Sequence, residues 1–195
     1  MNRHVSVSRE TFDKLAIYYD LLLKWQSKVN LISPDTITSA WHRHFLDALQ
    51  IFPLIDTEKK IVDLGSGGGF PGMVIAIAGA KNMHLVESDT KKILFLREVA
   101  RLTNTTVSLH HGRIEETLTT HADIITSRAC SALDTLLSLA SGYVSHETIC
   151  LFHKGKNFAK EIEDAKLHWH FDCDVIPSVT DSQSAILRLT SIRKR

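Results

Sequence analysis

At 195 residues and 44% hydrophobic composition, the chain can bury one good core, and its length favours one domain, or one domain with an appendage, over two full domains. No run approaches the roughly 18 apolar residues that span a bilayer, and Met1-Asn2-Arg3-His4-Val5-Ser6 lacks the apolar stretch of a signal peptide, so a cytoplasmic location without membrane association is expected. Lys plus Arg (23) nearly balances Asp plus Glu (22), so the net charge of +1 does not announce a nucleic-acid binder and any such face must be local.

From Ser8 onward, Phe12, Leu15, Ala16, Tyr19, Leu22 and Leu23 recur at helical spacing, with Glu10 and Asp13 where the helix dipole favours acids. Ser33-Pro34-Asp35 breaks this pattern, and a second helix is predicted over 41–52, stopped by Pro53. Residues 1–58 therefore read as an N-terminal helical extension, and 59–195 as one compact unit. After Lys60 the texture changes to short apolar strands at 61–64, 84–87, 106–110, 124–126 and 148–152, with helices at 72–78, 90–102, 133–140 and 158–168. Such alternation specifies a parallel sheet covered on both faces. The last stretch, 171–179 and 185–192 around Thr180-Asp181-Ser182-Gln183, has no helix between its strands and reads as a terminal antiparallel hairpin. The expected fold is thus α/β, a doubly wound, mainly parallel seven-stranded sheet with that hairpin and the N-terminal helices. Cys130, Cys150 and Cys173 are odd in number and widely spaced, which favours buried free thiols over a disulfide framework, and the histidines show no metal-ligand spacing.

The first strand runs directly into Gly65-Ser66-Gly67-Gly68-Gly69-Phe70-Pro71-Gly72. Glycines there permit positive φ and remove Cβ atoms that would keep a ligand off the backbone, while Pro71 suits the first turn of the following helix. Two ligands compete for this turn. Gly67-x-Gly69-x-x-Gly72 satisfies the dinucleotide fingerprint, and Asp63-x-Gly65-x-Gly67-x-Gly69 satisfies the acid-first pattern of S-adenosylmethionine enzymes, with the acid able to meet the cationic end of the cofactor. Asp63 tips the balance to the second, because an anion beside a pyrophosphate would repel it. Glu87, closing the second strand, can accept hydrogen bonds from ribose hydroxyls under either reading.

These residues resemble the glucose-inhibited division protein B family, the bacterial ribosomal RNA small-subunit methyltransferases G. The resemblance runs over nearly the whole chain: Leu22-Leu23-Lys24-Trp25, Asn30-Leu31, His44-Phe45-Leu46-Asp47-Ala48-Leu49, the segment from Asp63 to Gly72, Glu87-Ser88, Lys91-Lys92, Phe95-Leu96, Arg113-Ile114-Glu115-Glu116, Ser127-Arg128-Ala129 and Lys154-Gly155. It implies the class I S-adenosylmethionine-dependent methyltransferase fold and transfer of a methyl group to N7 of a guanine in 16S rRNA, near the decoding centre. It also implies cofactor contacts at Gly65, Phe70, Ile114, Glu115 and Arg128. Gln26 and Ala48 stand where relatives often carry Asn and Ser, outside the glycine turn.

Guanine N7 carries a lone pair at neutral pH and needs no general base, which agrees with a sequence that shows no nucleophile-base constellation; catalysis by positioning is expected, and no catalytic residue is assigned. Arg128, after the fourth strand, is the candidate for holding a base, phosphate or cofactor. RNA-binding candidates are Lys91, Lys92, Arg97 and Arg101 in one basic segment, with Arg43 and Lys154 elsewhere. The expected partner is 16S rRNA or the 30S subunit, and the expected state is a monomer. A small-molecule methyltransferase, a nicotinamide oxidoreductase and a noncatalytic rRNA-binding factor are the competing readings.

Overall fold

A computed structural model describes residues 6–117 and 120–195. The first five residues of the extension expected over 1–58 lie outside the described residues. Helix α1 spans Arg9–Gln26, and the Ser8 hydroxyl caps it by accepting from the Thr11 amide at 3.1 Å. A 3-10 turn at Pro34–Ser39 follows, then a π-helical turn at Trp41–Leu46 that runs into the α-helical turn α2, Asp47–Leu49. The continuous helix expected over 41–52 is therefore divided, and Pro53 lies within a further 3-10 turn, Phe52–Leu54, rather than after a helix end. The wide π-turn allows neighbouring His44 and Phe45 both to be buried.

The remainder alternates as predicted, with one short helix, α5, that the spacing did not suggest: β1 Lys60–Leu64, α3 Gly72–Ala78, β2 Asn82–Glu87, α4 Thr90–Leu102, β3 Ser108–His111, α5 Ile114–Thr117, β4 Ile124–Arg128, α6 Leu133–Ala140, β5 Ile149–Lys154, α7 Phe158–Ala165, β6 Trp169–Pro177 and β7 Ala185–Lys194. Helix α7 stops short of 168 because the His168 amide turns back to the Ala165 carbonyl at 3.1 Å and feeds the chain into β6. The single sheet has the order β3-β2-β1-β4-β5-β7-β6, with β1 to β5 mutually parallel and β7 antiparallel to both β5 and β6. Its strand order reverses between β1 and β4. At such a switch point the carboxyl ends of the strands leave a crevice where ligands of α/β sheets collect.

Two apolar layers cover the sheet. Ile61 joins Leu15, Tyr18, Leu22, Phe45, Met73 and Phe95 on one face, whereas its neighbours Val62 and Leu64 join Leu136, Phe152 and Leu187 on the other, as a strand's period of two requires. The N-terminal helices thus share a core with β1, α3 and α4. The apolar stripe of α1 is displaced from the one the spacing suggested: Leu15, Tyr18, Leu21 and Leu22 are buried, while Phe12 and Leu23 are 52% and 39% exposed.

Candidate active site

The turn after β1 is laced to the strand beside it. The Ser66 amide donates to the Val86 carbonyl at 3.0 Å, and the Gly69 and Phe70 amides both return to the Ser66 carbonyl at 2.7 and 3.2 Å. Gly65, Gly67 and Gly69 adopt φ of +68°, +57° and +93°, a region that side chains rarely enter. Gly69 is fixed for a second reason: a Cβ there would collide with the Tyr18 hydroxyl and come within 2.9 Å of Met73 Cβ. A Cβ on Gly67 would meet nothing nearer than 3.8 Å, so that side of the turn is open to a ligand.

Glu87 is buried at the end of β2 with its carboxylate fixed at the turn. Oε2 accepts the Gly67 amide at 2.8 Å and Oε1 accepts the Asp89 amide at 2.8 Å, leaving further lone pairs on each oxygen. The Gly112 amide donates to the Glu87 carbonyl at 3.0 Å, which draws Ile114 and Glu115, at the start of α5, to the same edge. Glu115 is exposed there, and the Ile114 carbonyl accepts from the Tyr143 hydroxyl.

Asp63 is placed differently from a residue that meets a ligand. It is 0% exposed, with Oδ2 accepting the Gly72 amide at 3.3 Å and Oδ1 accepting the Thr126 hydroxyl at 2.8 Å. Burial pushes its carboxyl up to about 6, against the opposing pull of hydrogen bonds from Thr126, Ser66 and Gly72. The carboxylate braces the turn and the first residue of α3 from beneath. Phe70 likewise turns its ring inward, stacked on Tyr18 at 5.4 Å and 15°, so only its backbone can face the crevice.

At the end of β4, Arg128 reaches back to the N-terminal segment. Nη1 donates to the Arg43 carbonyl at 2.9 Å and to Asp47 Oδ2 at 3.2 Å, Nη2 lies 2.7 Å from His44 Nδ1, and the guanidinium carbon sits 5.0 Å from the centre of the Phe70 ring. Arginine can only donate, so His44 Nδ1 is the acceptor and Nε2 carries the proton, donated to the Thr36 hydroxyl at 2.7 Å. Burial, reinforced by the Arg128 charge, lowers His44 to about 4 and keeps it neutral. Asp47 is the hub of this network. Its Oδ1 accepts from Thr180 and Gln50, both at 2.7 Å, and its carbonyl accepts His153 Nε2 at 2.8 Å, which ties the N-terminal segment to β5 and to the β6–β7 connection. Ala129, which follows Arg128 and lines the cleft beside it, takes φ of +52°, an uncommon backbone for a residue with a side chain. A cleft of about 460 Å³ opens beside Arg128, walled by His44, Asp47, His153, Lys154 and Asp181.

The sequence-derived cofactor residues Gly65, Gly67, Gly69, Glu87, Ile114, Glu115 and Arg128 are thus gathered at the carboxyl edge of β1 to β4, with Asp63 and the Phe70 ring beneath it. The RNA candidates divide. Lys91, Lys92 and Arg97 lie on α4, whose first turn follows Glu87 directly. Arg101 on the same helix is held by Glu98 through two bonds of 2.8 and 2.7 Å, Arg43 pairs with Asp181 at 3.2 Å, and Lys154 is buried with Nζ on the Ser131 carbonyl at 2.6 Å and on Glu161 at 2.8 Å. Sequence reasoning missed Tyr18, Asp47 and Thr126. The spacing of His44 and Asp47 on one helical turn was the available signal for the hub. Gln26 also gains a purpose: its Oε1 accepts the Leu31 and Ile32 amides at 3.0 and 3.1 Å, pinning the chain that leaves α1.

The profile of the family described as rRNA small subunit methyltransferase G matches residues 11–187. Among curated proteins, the chain is 45% identical to the ribosomal RNA small subunit methyltransferase G of Paramagnetospirillum magneticum, over 96% of this chain and 92% of that one. It is 42% identical to the protein of the same name in Gluconobacter oxydans, over 97% and 98%. Among solved structures, a TehB-like SAM-dependent methyltransferase from Corynebacterium glutamicum superposes with a TM-score of 0.60 at 14% identity, covering 91% of this chain and 99% of that one. The ribosomal protein L11 methylase of Lactobacillus delbrueckii gives 0.61 at 16% identity, over 75% and 76%. These two share the fold, a class I methyltransferase sheet. The sequence matches, which extend from the glycine turn to both the N-terminal helices and the terminal hairpin, decide the rest: the chain belongs to the rRNA small subunit methyltransferase G family.

Proposed function

We propose that this chain transfers a methyl group from S-adenosylmethionine to N7 of one guanine in 16S rRNA of the small ribosomal subunit. The observation that carries this reading is the convergence of an open glycine turn and the buried Glu87 carboxylate, joined by the 2.8 Å bond from the Gly67 amide, at the strand edge of a chain belonging to this family. The donor set fits the cofactor. Glu87 has lone pairs left for ribose hydroxyls, the Gly67 face admits close approach, and the segment carrying Ile114 and Glu115 borders the same crevice.

The cofactor supplies an activated methyl group on a sulfonium when bound. The chain's residues do the positioning. Glu87 and the turn backbone hold the nucleoside end, and Asp63 acts through Gly72 and Thr126 to fix the turn rather than by contact. The target base enters the cleft beside Arg128, whose guanidinium borders it. Guanine N7 has a free lone pair, so no residue would have to remove a proton as the methyl group passes from sulfur to nitrogen and leaves a neutral thioether; holding the two reactants together could supply roughly 7 to 11 kcal/mol in favourable cases. On this reading the N-terminal helices form one unit with the sheet, because Asp47 and Tyr18 complete the site. On this reading the chain acts on the subunit as a cytoplasmic monomer; among the described residues no helix is long and apolar enough to cross a membrane.

Incubation with methyl-labelled S-adenosylmethionine and small subunits from cells lacking the endogenous enzyme tests this. Label in 16S rRNA is expected; label entering only small molecules, or cofactor binding without transfer, would contradict it.

A further inference from the structure

Helices α1 and α4 pack side by side and leave a groove of about 800 Å³ between them, away from the Arg128 cleft. Its walls bring together Lys24 from α1 and Lys28 from the turn after it with Lys91 and Arg97 from α4, residues more than sixty positions apart in sequence. Among the described residues none of these four makes a salt bridge within 4 Å; the charge of Lys24 reaches Glu98 and that of Lys91 reaches Asp89 only at longer range, and Glu98 is bonded to Arg101. Against a whole-chain charge of +1, this concentration of cations is local and unusual. The floor is apolar: Leu21 and Val29 are buried beneath, Leu94 is 45% exposed between the cations, and half-buried Trp25 leans on Phe95 at 5.7 Å and 57°.

Cations along the rim and an aromatic, apolar floor form the pattern that takes single-stranded nucleic acid, with phosphates on the rim and bases against the floor. An A-form duplex, by contrast, offers its phosphates and hydroxyls but not exposed base faces. The dimension also suits a strand. From Lys91 to Arg101 α4 runs about 15 Å, which matches about four stacked nucleotides at roughly 3.4 Å each. The groove begins at the first turn of α4, immediately after Glu87 and Asp89, so a strand lying in it would lead towards the methyl-transfer crevice.

We infer that the α1–α4 groove binds an unpaired stretch of rRNA flanking the target guanine and holds the substrate while the base is presented at the crevice. This rests on the rRNA reading above and deepens it, adding Lys24, Trp25 and Lys28 to the residues of α4.

The test compares wild type with the variant Lys24→Gln, Lys28→Gln, Arg97→Gln, and with a control carrying Lys160→Gln and Lys166→Gln on the opposite face. Binding of a labelled single-stranded RNA of about a dozen nucleotides, within the usual site range, is followed by anisotropy across a salt series. The groove variant should bind at least tenfold more weakly, with the slope of log affinity against log salt reduced by about two, since each lost phosphate contact removes about 0.7. It should also show a raised KM for small subunits, while its S-adenosylmethionine affinity and the control variant stay at wild-type values. Unchanged RNA affinity and salt slope would overturn the inference while leaving methylation of subunits by the wild type intact. Wild type that self-associates in sedimentation, with the groove variant monomeric and its RNA binding unaltered, would overturn it in favour of a surface for a second copy. Failure of the wild type to methylate subunits, with groove-dependent strand binding preserved, would count against the proposed function alone.

Discussion

The hydroxyl of Tyr18, in the middle of α1, donates to the carbonyl of Gly68 at the centre of the glycine turn, fifty residues away. The N-terminal helix is therefore part of the glycine turn's foundation. Tyr18 is fully buried, its ring stacked on Phe70 and edge-on to Phe45 at 5.1 Å, so the phenol has no route to water. Tyr18→Phe keeps the packing and removes the donor. It should cost about 1–3 kcal/mol of stability, the usual effect of leaving a buried polar group unpaired, and weaken S-adenosylmethionine binding several-fold. Thermal unfolding and calorimetry check both effects, and a variant indistinguishable from wild type in each would disprove the role.

Gly65→Asp attacks the turn from within. The position has φ of +68°, and an added Cβ would stand 3.0 Å from the Cys130 sulfur. The new side chain also places an anion at the crevice. Cofactor binding should disappear in calorimetry, and undiminished affinity would refute the proposed site.

The Arg128–Asp47 pair predicts coupled losses. Removing one partner of a buried pair costs roughly 3–5 kcal/mol, and side-chain exposures of 16% and 15% put this pair at the lower end. Arg128→Ala should also lower turnover about a hundredfold, because displaced positioning groups are that costly. In a double-mutant cycle with Asp47→Ala, the coupling should fall at about 1–3 kcal/mol. Additive effects on stability would show that the two residues act separately.

Two buried groups should give opposite pH dependences in one window. Asp63 is raised to about 6 by burial, so between pH 4 and 6 the folded chain holds the extra proton, and stability falls by roughly 3 kcal/mol as pH rises through that range. His44 is lowered to about 4, again chiefly by burial, so the unfolded chain holds the extra proton, and stability falls as pH drops from its ordinary value near 6.5 towards 4. The wild type should therefore show little net slope from this pair. Asp63→Asn should expose a stability that rises with pH, and His44→Gln one that falls with pH, in urea titrations across the range. Equal slopes in all three proteins would contradict the assignment.

What the sequence disclosed, and what it hid, follows from how local each cause is. The glycine turn and the alternation of strands and helices are short-range patterns, and both were readable, as was the terminal hairpin. The inward face of α1 was not, because apolar residues occupy positions 15, 17, 18, 19, 21, 22 and 23 and so support two overlapping stripes. Packing against Phe45, Phe70 and Phe95 selects the one containing Tyr18. Asp63 looked like a ligand for a cation because its partner Thr126 is 63 residues away, and Lys154 looked free for phosphate because Glu161 captures it only once α7 is docked. Arg128 was singled out by its motif, but its partners Arg43, His44 and Asp47 lie more than eighty residues earlier.

The central claim, methylation of guanine N7 in small-subunit rRNA, is tested most directly by chemical mapping. Small subunits from cells lacking the endogenous enzyme are methylated by the purified protein, and their 16S rRNA is then treated with borohydride and aniline, which cleaves at N7-methylguanine. Cleavage at a single guanine, dependent on protein and S-adenosylmethionine, is the predicted result. Methyl transfer to the rRNA without such cleavage would contradict the N7 assignment, and no transfer, despite cofactor binding, would contradict the methyltransferase account itself.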